Sequence, residues 1–138
     1  MRFYAVIDTN VLVSALLAKR ADSPTVEIVA KLFDGSVTPV FSREILEEYS
    51  EVLHRDKFGF SASTVDIFLH ELRQIGILLE PEPAEVVLPN IKDIPFYVVT
   101  LSNGENDIYL VTENLKHFPA KPFIVTPAQF LKLLQKAD

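Results

Sequence analysis

Apolar residues recur along this chain in alternating strand-like and helix-like periods. Phe3-Tyr4-Ala5-Val6-Ile7 is a run of strand formers that stops on Asp8, and Thr9-Asn10 then open a helical stretch reaching Ala18. Lys19 to Ser23 is a polar break. Pro24 stands where a first helical turn tolerates it, and Val26, Val29, Ala30 and Phe33 carry a helical spacing up to Asp34-Gly35. Thr38 to Phe41 reads as a second strand. Ser42 begins a helix with Ile45, Leu46, Tyr49, Val52 and Leu53 on one face. His54 to Phe60 reads as a loop, and Ser61 or Ser63 caps a helix that runs through Ile75 and is stopped by Gly76.

Ile77 to Leu79 is a third short strand, followed by a connection that Pro81, Pro83 and Pro89 keep extended. Asp93 to Leu101 reads as a helix with Pro95 in its first turn. Ile108 to Val111 and Phe123 to Val125 are the fourth and fifth strands, and Thr126-Pro127 starts a helix bearing Phe130, Leu131 and Leu134. Strands separated by helical runs require crossover connections. The expected fold class is therefore α/β: a mainly parallel sheet of about five strands in a three-layer arrangement, with helices on both faces. No repeat, linker or low-complexity tract interrupts the 138 residues, so residues 1–138 are expected to form a single domain.

Composition narrows the functional classes. Hydrophobic residues make up 49% of the chain, which suits a packed core and not a disordered segment. No apolar run approaches the ~18 residues of a spanning helix, and Met1-Arg2 lead straight into a strand with no signal-like apolar segment. A cytoplasmic protein with no membrane partner is the expectation. The absence of cysteine excludes disulfides, thiolate metal sites and cysteine nucleophiles. The net charge of −6 argues against a polyanion binder that works through bulk charge, yet leaves room for an acidic site that holds nucleic acid through a cation.

Such a site is legible in the acids. In an open α/β sheet, ligands bind at the carboxyl ends of strands, which is where Asp8 falls. Asp8-Thr9-Asn10 are also good helix caps, so a cap and a metal ligand both remain open on this segment alone. Glu47 and Glu48 lie on the helix after the second strand, Asp93 starts the helix after the proline-rich connection, and the fourth strand closes on Thr112-Glu113-Asn114. Hard divalent ions take oxygen ligands, and unneutralised carboxylates brought together repel one another. Either the chemistry needs an ion, or these acids do not form a cluster.

Val6-Ile7-Asp8-Thr9-Asn10-Val11-Leu12 and the helix Ile45 to Leu53 resemble the PIN-domain family. The resemblance continues through Lys92-Asp93-Ile94-Pro95-Phe96-Tyr97 and Tyr109-Leu110-Val111-Thr112-Glu113-Asn114-Leu115-Lys116-His117-Phe118-Pro119, in family order across essentially the whole chain. It is strongest to the toxin components of prokaryotic toxin–antitoxin pairs. What it implies is a Mg²⁺- or Mn²⁺-dependent endoribonuclease that hydrolyses RNA phosphodiesters with a metal-activated water. A homodimer restrained by a cognate antitoxin protein is implied as well.

Carried onto this sequence, the family's first three acids fall on Asp8, Glu48 and Asp93, the implied catalytic residues and metal ligands. A fourth ligand position falls on Asn114, where the family often has an acid, and Glu113 stands where it usually has glycine; an amide oxygen can ligate but brings no charge. Thr9, Asn10 and Thr112 are implied to hold the acids and the incoming phosphate, and Lys116 is a further candidate for phosphate contact. Glu47 sits about 100° round the helix from Glu48 and should face away. Glu51, one turn on from Glu48, reads as a solvated glutamate, with support of the site as the alternative; Asp107 reads equally as a cap or turn residue and as a site residue, and His70 as a structural or surface residue. Arg55-Lys57 and Lys116-His117 read as ordinary surface charge, with phosphate contact as the functional alternative. Phe58 and Phe60 are core residues or base-stacking surfaces. A non-catalytic PIN-like module that binds RNA or protein is the alternative function. A phosphatase with Asp8 as nucleophile needs a second aspartate where Asn10 stands.

Overall fold

β1 (Phe3–Ile7) lies at the centre of the sheet, and its last three residues are fully buried, as a strand covered on both faces requires. The computed structural model describes residues 2–82, 84–102 and 107–137. β1 pairs in parallel with β2 (Val37–Phe41) on one side, Phe3 opposite Val37, and with β4 (Ile108–Val111) on the other, Ile7 opposite Val111. β3 (Ile77–Leu78) extends the sheet beyond β2, and β5 (Ile124–Val125) beyond β4. The order is β3-β2-β1-β4-β5, with five strands, and every pairing is parallel.

The helices fill the crossovers: α1 (Thr9–Leu17) and α2 (Pro24–Phe33), α3 (Arg43–Leu53) and α4 (Ala62–Ile75), α5 (Ile94–Leu101), and α6 (Pro127–Lys136) after the last strand. The chain travels outward from β1 to β3, then returns past β1 to β4. Right-handed crossovers put the helices of these opposite journeys on opposite faces. Accordingly α5 packs on β1, β2 and β4, whereas α2 packs on α4 and α6. The reversal leaves a crevice between the carboxyl ends of β1 and β4, the place where α/β sheets hold ligands.

Most expected elements lie within a residue of their reading. Ser42 caps α3 by accepting from the Ile45 amide at 3.2 Å, and Ser61, not Ser63, caps α4 by accepting from Thr64. Thr126 and Gln129 form a reciprocal capping box at the start of α6. The segment expected as a plain loop holds a 3₁₀ turn at Asp56–Phe58. Its residues Phe58 and Phe60 pack on a small satellite cluster of Val13, Leu53 and Val65. The His54 ring bridges the Ser50 carbonyl and Asp66 Oδ1 (3.0 Å), which ties the end of α3 to α4. Pro83 lies outside the described residues. Among the described residues no helix is long and apolar enough to cross a membrane.

One reading needs correction. The buried face of α2 is Thr25, Ile28 and Leu32, whereas Ala30 and Phe33 are exposed. The expected stripe was rotated because two interleaved helical spacings coexist in this segment, and only packing against β2 and α6 selects between them. Gly76 ends α4 as expected, in an extended conformation. Its glycine is required by space: a Cβ there would stand 2.4 Å from the buried Phe41 ring and 2.8 Å from the Pro39 carbonyl oxygen. Gly76→Ala is therefore expected to destabilise the fold by about 1–3 kcal/mol, as overpacked substitutions do, measured by urea unfolding. An unchanged midpoint would show that β2 yields freely at this contact.

Candidate active site

Asp8 follows the last residue of β1, and its amide donates to the Val111 carbonyl at 2.9 Å, so the ladder with β4 runs one residue further. That register sets Asp8 beside Thr112, which is itself fully buried and bonded to Val125 of β5. The Thr112 hydroxyl donates to Asp8 Oδ2 at 2.7 Å. Asp8 occupies the N-cap position of α1, yet its carboxylate makes no capping bond. The carboxylate therefore does not serve as the cap, and accepts from Thr112 instead. Asp8 is only 5% exposed. Burial is the main cause that lifts its pKa from 3.8 to about 6; Asp93 and Glu48 add to the rise, against the Thr112 bond and the Thr9 amide.

Glu48 arrives through its neighbour. Tyr49 is buried and its hydroxyl donates to the Ile7 carbonyl, which pins α3 against the end of β1. Burial, with Asp8 and Glu48 beside it, holds the Tyr49 phenol well above its usual pKa, so it stays a donor. The preceding residue then faces the crevice, where the Thr9 hydroxyl donates to Glu48 Oε2. Glu47 is exposed, as its rotation about the helix demands. Glu51 is exposed and bonded to Arg55 at 2.8 Å, in keeping with the solvated reading.

Asp93 closes a 3₁₀ turn, Ile91–Asp93, that Asn90 starts by accepting from the Lys92 amide at 3.0 Å. It precedes α5 without capping it and is 8% exposed. Its Oδ2 has no hydrogen-bond partner among the described residues. Burial is the main cause that raises the Asp93 pKa, against His117, whose Nδ1 stands 3.3 Å from that oxygen and draws the pKa down. His117 was expected as surface charge and is instead at the site. It is delivered by a 3₁₀ turn, Leu115–His117, in which Asn114 accepts from the His117 amide and Phe118 is buried behind it. Asn114 as a turn starter and apolar Phe118 were the available signals.

The remaining candidates divide. Asn114 is half-buried at the crevice, its amide bonded to Thr112 Oγ1 at 3.0 Å. Glu113 is exposed and accepts from Ser14 Oγ at 2.6 Å, which turns it away from the other acids. Asn10, Lys116, Asp107 and His70 are exposed. Phe58 and Phe60 stack with centroids 5.9 Å apart, and Lys57 stands over the Phe58 ring at 5.0 Å.

The sequence profile of the PIN domain matches residues 4–116, a span that holds Asp8, Glu48, Asp93, Thr112 and Asn114. The chain belongs to the PIN-domain family. No curated protein matches it. PIN domains are generally nucleases and usually use divalent metals. In this PIN domain the donor chemistry suits such an ion: hard carboxylate oxygens, one of them buried and unpartnered, at a site that resists ionisation without a cation. The side chains do not form a closed cage. Among the described residues no three acidic or histidine side chains gather closely enough to hold one ion together. A Mg²⁺ ion commonly takes one or two carboxylates and keeps several waters, so it does not require a cage.

Proposed function

We propose that this PIN domain is a metal-dependent endoribonuclease with Asp8, Glu48 and Asp93 as its acidic site and Mg²⁺ or Mn²⁺ as its cofactor. The observation that carries this reading is the burial of Asp8 beside two other acids at the switch point, which costs the fold stability at neutral pH unless a cation offsets it. When bound, the ion would supply Lewis-acid stabilisation of the phosphate and a lowered pKa for water. Asp8 and Asp93 would hold it. Thr112 fixes the Asp8 carboxylate and Thr9 fixes Glu48, so both acids are oriented before substrate arrives. Asn114 offers an uncharged amide at the fourth position.

The wider role we propose is that of the toxin of a toxin–antitoxin pair: a cytoplasmic homodimer that cuts RNA and is restrained by a cognate antitoxin. The resemblance of the motifs supports it. Growth arrest on expression, absent for Asp8→Asn, is the result that this role requires.

The test is incubation of a mixed structured and single-stranded RNA pool with purified protein in Mn²⁺, Mg²⁺ or chelator. Cutting is expected with either ion and none in chelator. The same ions should raise the melting temperature, and more at about pH 7.5 than at about pH 5, because they bind the ionised form of Asp8. Intact RNA from a folded, ion-binding protein would overturn catalysis. It would favour a non-catalytic RNA- or protein-binding module, a reading that Asn114 and the open arrangement of the acids also favour.

A further inference from the structure

The turn Leu115–His117 borders the acidic site. Its His117 Nδ1 lies 3.3 Å from Asp93 Oδ2. A cleft of about 470 Å³ opens between Leu115 and Lys116 of the same turn, the segment 119–122 and the first turn of α6. Lys116 and Lys121 line it together with Leu115, Pro119 and Gln129, and none of its lining residues is acidic. In a chain of net charge −6, a concave surface with two lysines and no acid is a local reversal of sign. Both lysines are exposed, and among the described residues neither is in an ion pair. Gln129 spends its Oε1 on the Thr126 amide, which leaves its NH₂ group for a ligand, and Leu115 is 37% exposed.

Two cations, an amide donor and an apolar wall are the complement of a nucleotide: phosphate for the lysines, base for the leucine and proline. The cleft shares a wall with the acidic site, so a phosphodiester chain lying over Asp93 would leave across this turn. We propose that the cleft is a subsite for the nucleotide flanking the scissile phosphate of single-stranded RNA, with Lys116 and Lys121 on its backbone and Leu115 and Pro119 against its base. The proposal rests on the ribonuclease reading, and names the groups that hold the strand.

It is tested with Lys116→Ala/Lys121→Ala in two settings. In the Asp8→Asn background, binding of a fluorescent single-stranded RNA is followed by anisotropy at several salt concentrations. In the otherwise native protein, cleavage kinetics are measured. The double variant is expected to bind about tenfold more weakly, with a salt slope shallower by about 1.4, the value for two lost phosphate contacts on a single strand. It should raise KM with little change in kcat, while Lys132→Ala/Lys136→Ala on α6, outside the cleft, changes neither. If the native protein cuts RNA and the double variant matches it in KM and salt slope, the subsite is wrong and the nuclease reading stands. An equal loss in the control pair would also overturn the subsite, since general charge would then explain it. RNA left both unbound and uncut by the native protein would overturn subsite and nuclease together. Binding without cutting, still weakened by the double variant, would uphold the subsite alone.

Discussion

Asp8→Asn is expected to lower RNA cleavage by at least ~100-fold, about 2.7 kcal/mol of barrier, while making the metal-free protein more stable at neutral pH. The two effects share one cause. Burial and the nearby acids raise the Asp8 pKa from 3.8 to about 6, so the folded state binds this proton more tightly than the unfolded chain does. Stability from this group is therefore fully present below about pH 3.8 and is lost as pH rises through about 6. At ~1.4 kcal/mol per pH unit the loss approaches a ceiling of about 3 kcal/mol. Asparagine keeps an oxygen to accept from Thr112 and removes the charge. Urea unfolding in chelator should then show a variant more stable than the parent at pH 7.5, with the gap closing near pH 4. Addition of Mn²⁺ should narrow the gap at the higher pH by stabilising the parent. A variant that cuts as fast as the parent would remove Asp8 from the chemistry. One that loses cleavage and stability together would show that the carboxylate is structural.

Asp8 was legible in the sequence for the same reason that it is costly in the fold. Five strand formers that stop on a carboxylate announce a strand end, and a parallel sheet buries both faces of that strand. Glu48 and Asp93 were singled out by the family resemblance, and helix geometry added only that Glu47 and Glu48 must face different ways, Glu47 being the exposed one. What the sequence hid depends on contacts between distant elements. Whether Asp8 caps α1 could not be decided until the β1·β4 register put the Thr112 hydroxyl on its carboxylate. His117 looked like one half of a surface pair because nothing local says which side of a short 3₁₀ turn will face Asp93. Gly76 resembled a helix stop, and the Phe41 ring that forbids a side chain there comes from the neighbouring strand. In each case local chemistry named the residue and the crossover supplied its partner.

Thr112→Val is expected to cost 10–100-fold in ion affinity or cleavage although Thr112 needs no contact with either ion or RNA. Its hydroxyl does two things at once: it donates to Asp8 Oδ2 at 2.7 Å and accepts the Asn114 amide at 3.0 Å. Valine has nearly the same shape in this fully buried position and can do neither. The lost donor is one of the groups that hold the Asp8 pKa down, so the carboxyl should titrate higher still and compete less well for a cation at neutral pH. The lost acceptor frees the start of the segment that carries Asn114 and then His117. Thr112→Ser keeps the hydroxyl and should recover most of the activity, which separates the hydrogen bonds from packing. A pH–rate profile adds a readout that packing alone would not move: its acidic limb should shift upward in valine and return in serine. If valine cleaves as the parent does, Asp8 is held by burial alone and Thr112 is only a core residue. If serine fails along with valine, the methyl contacts of the strand end, and not the hydroxyl, are what the site depends on.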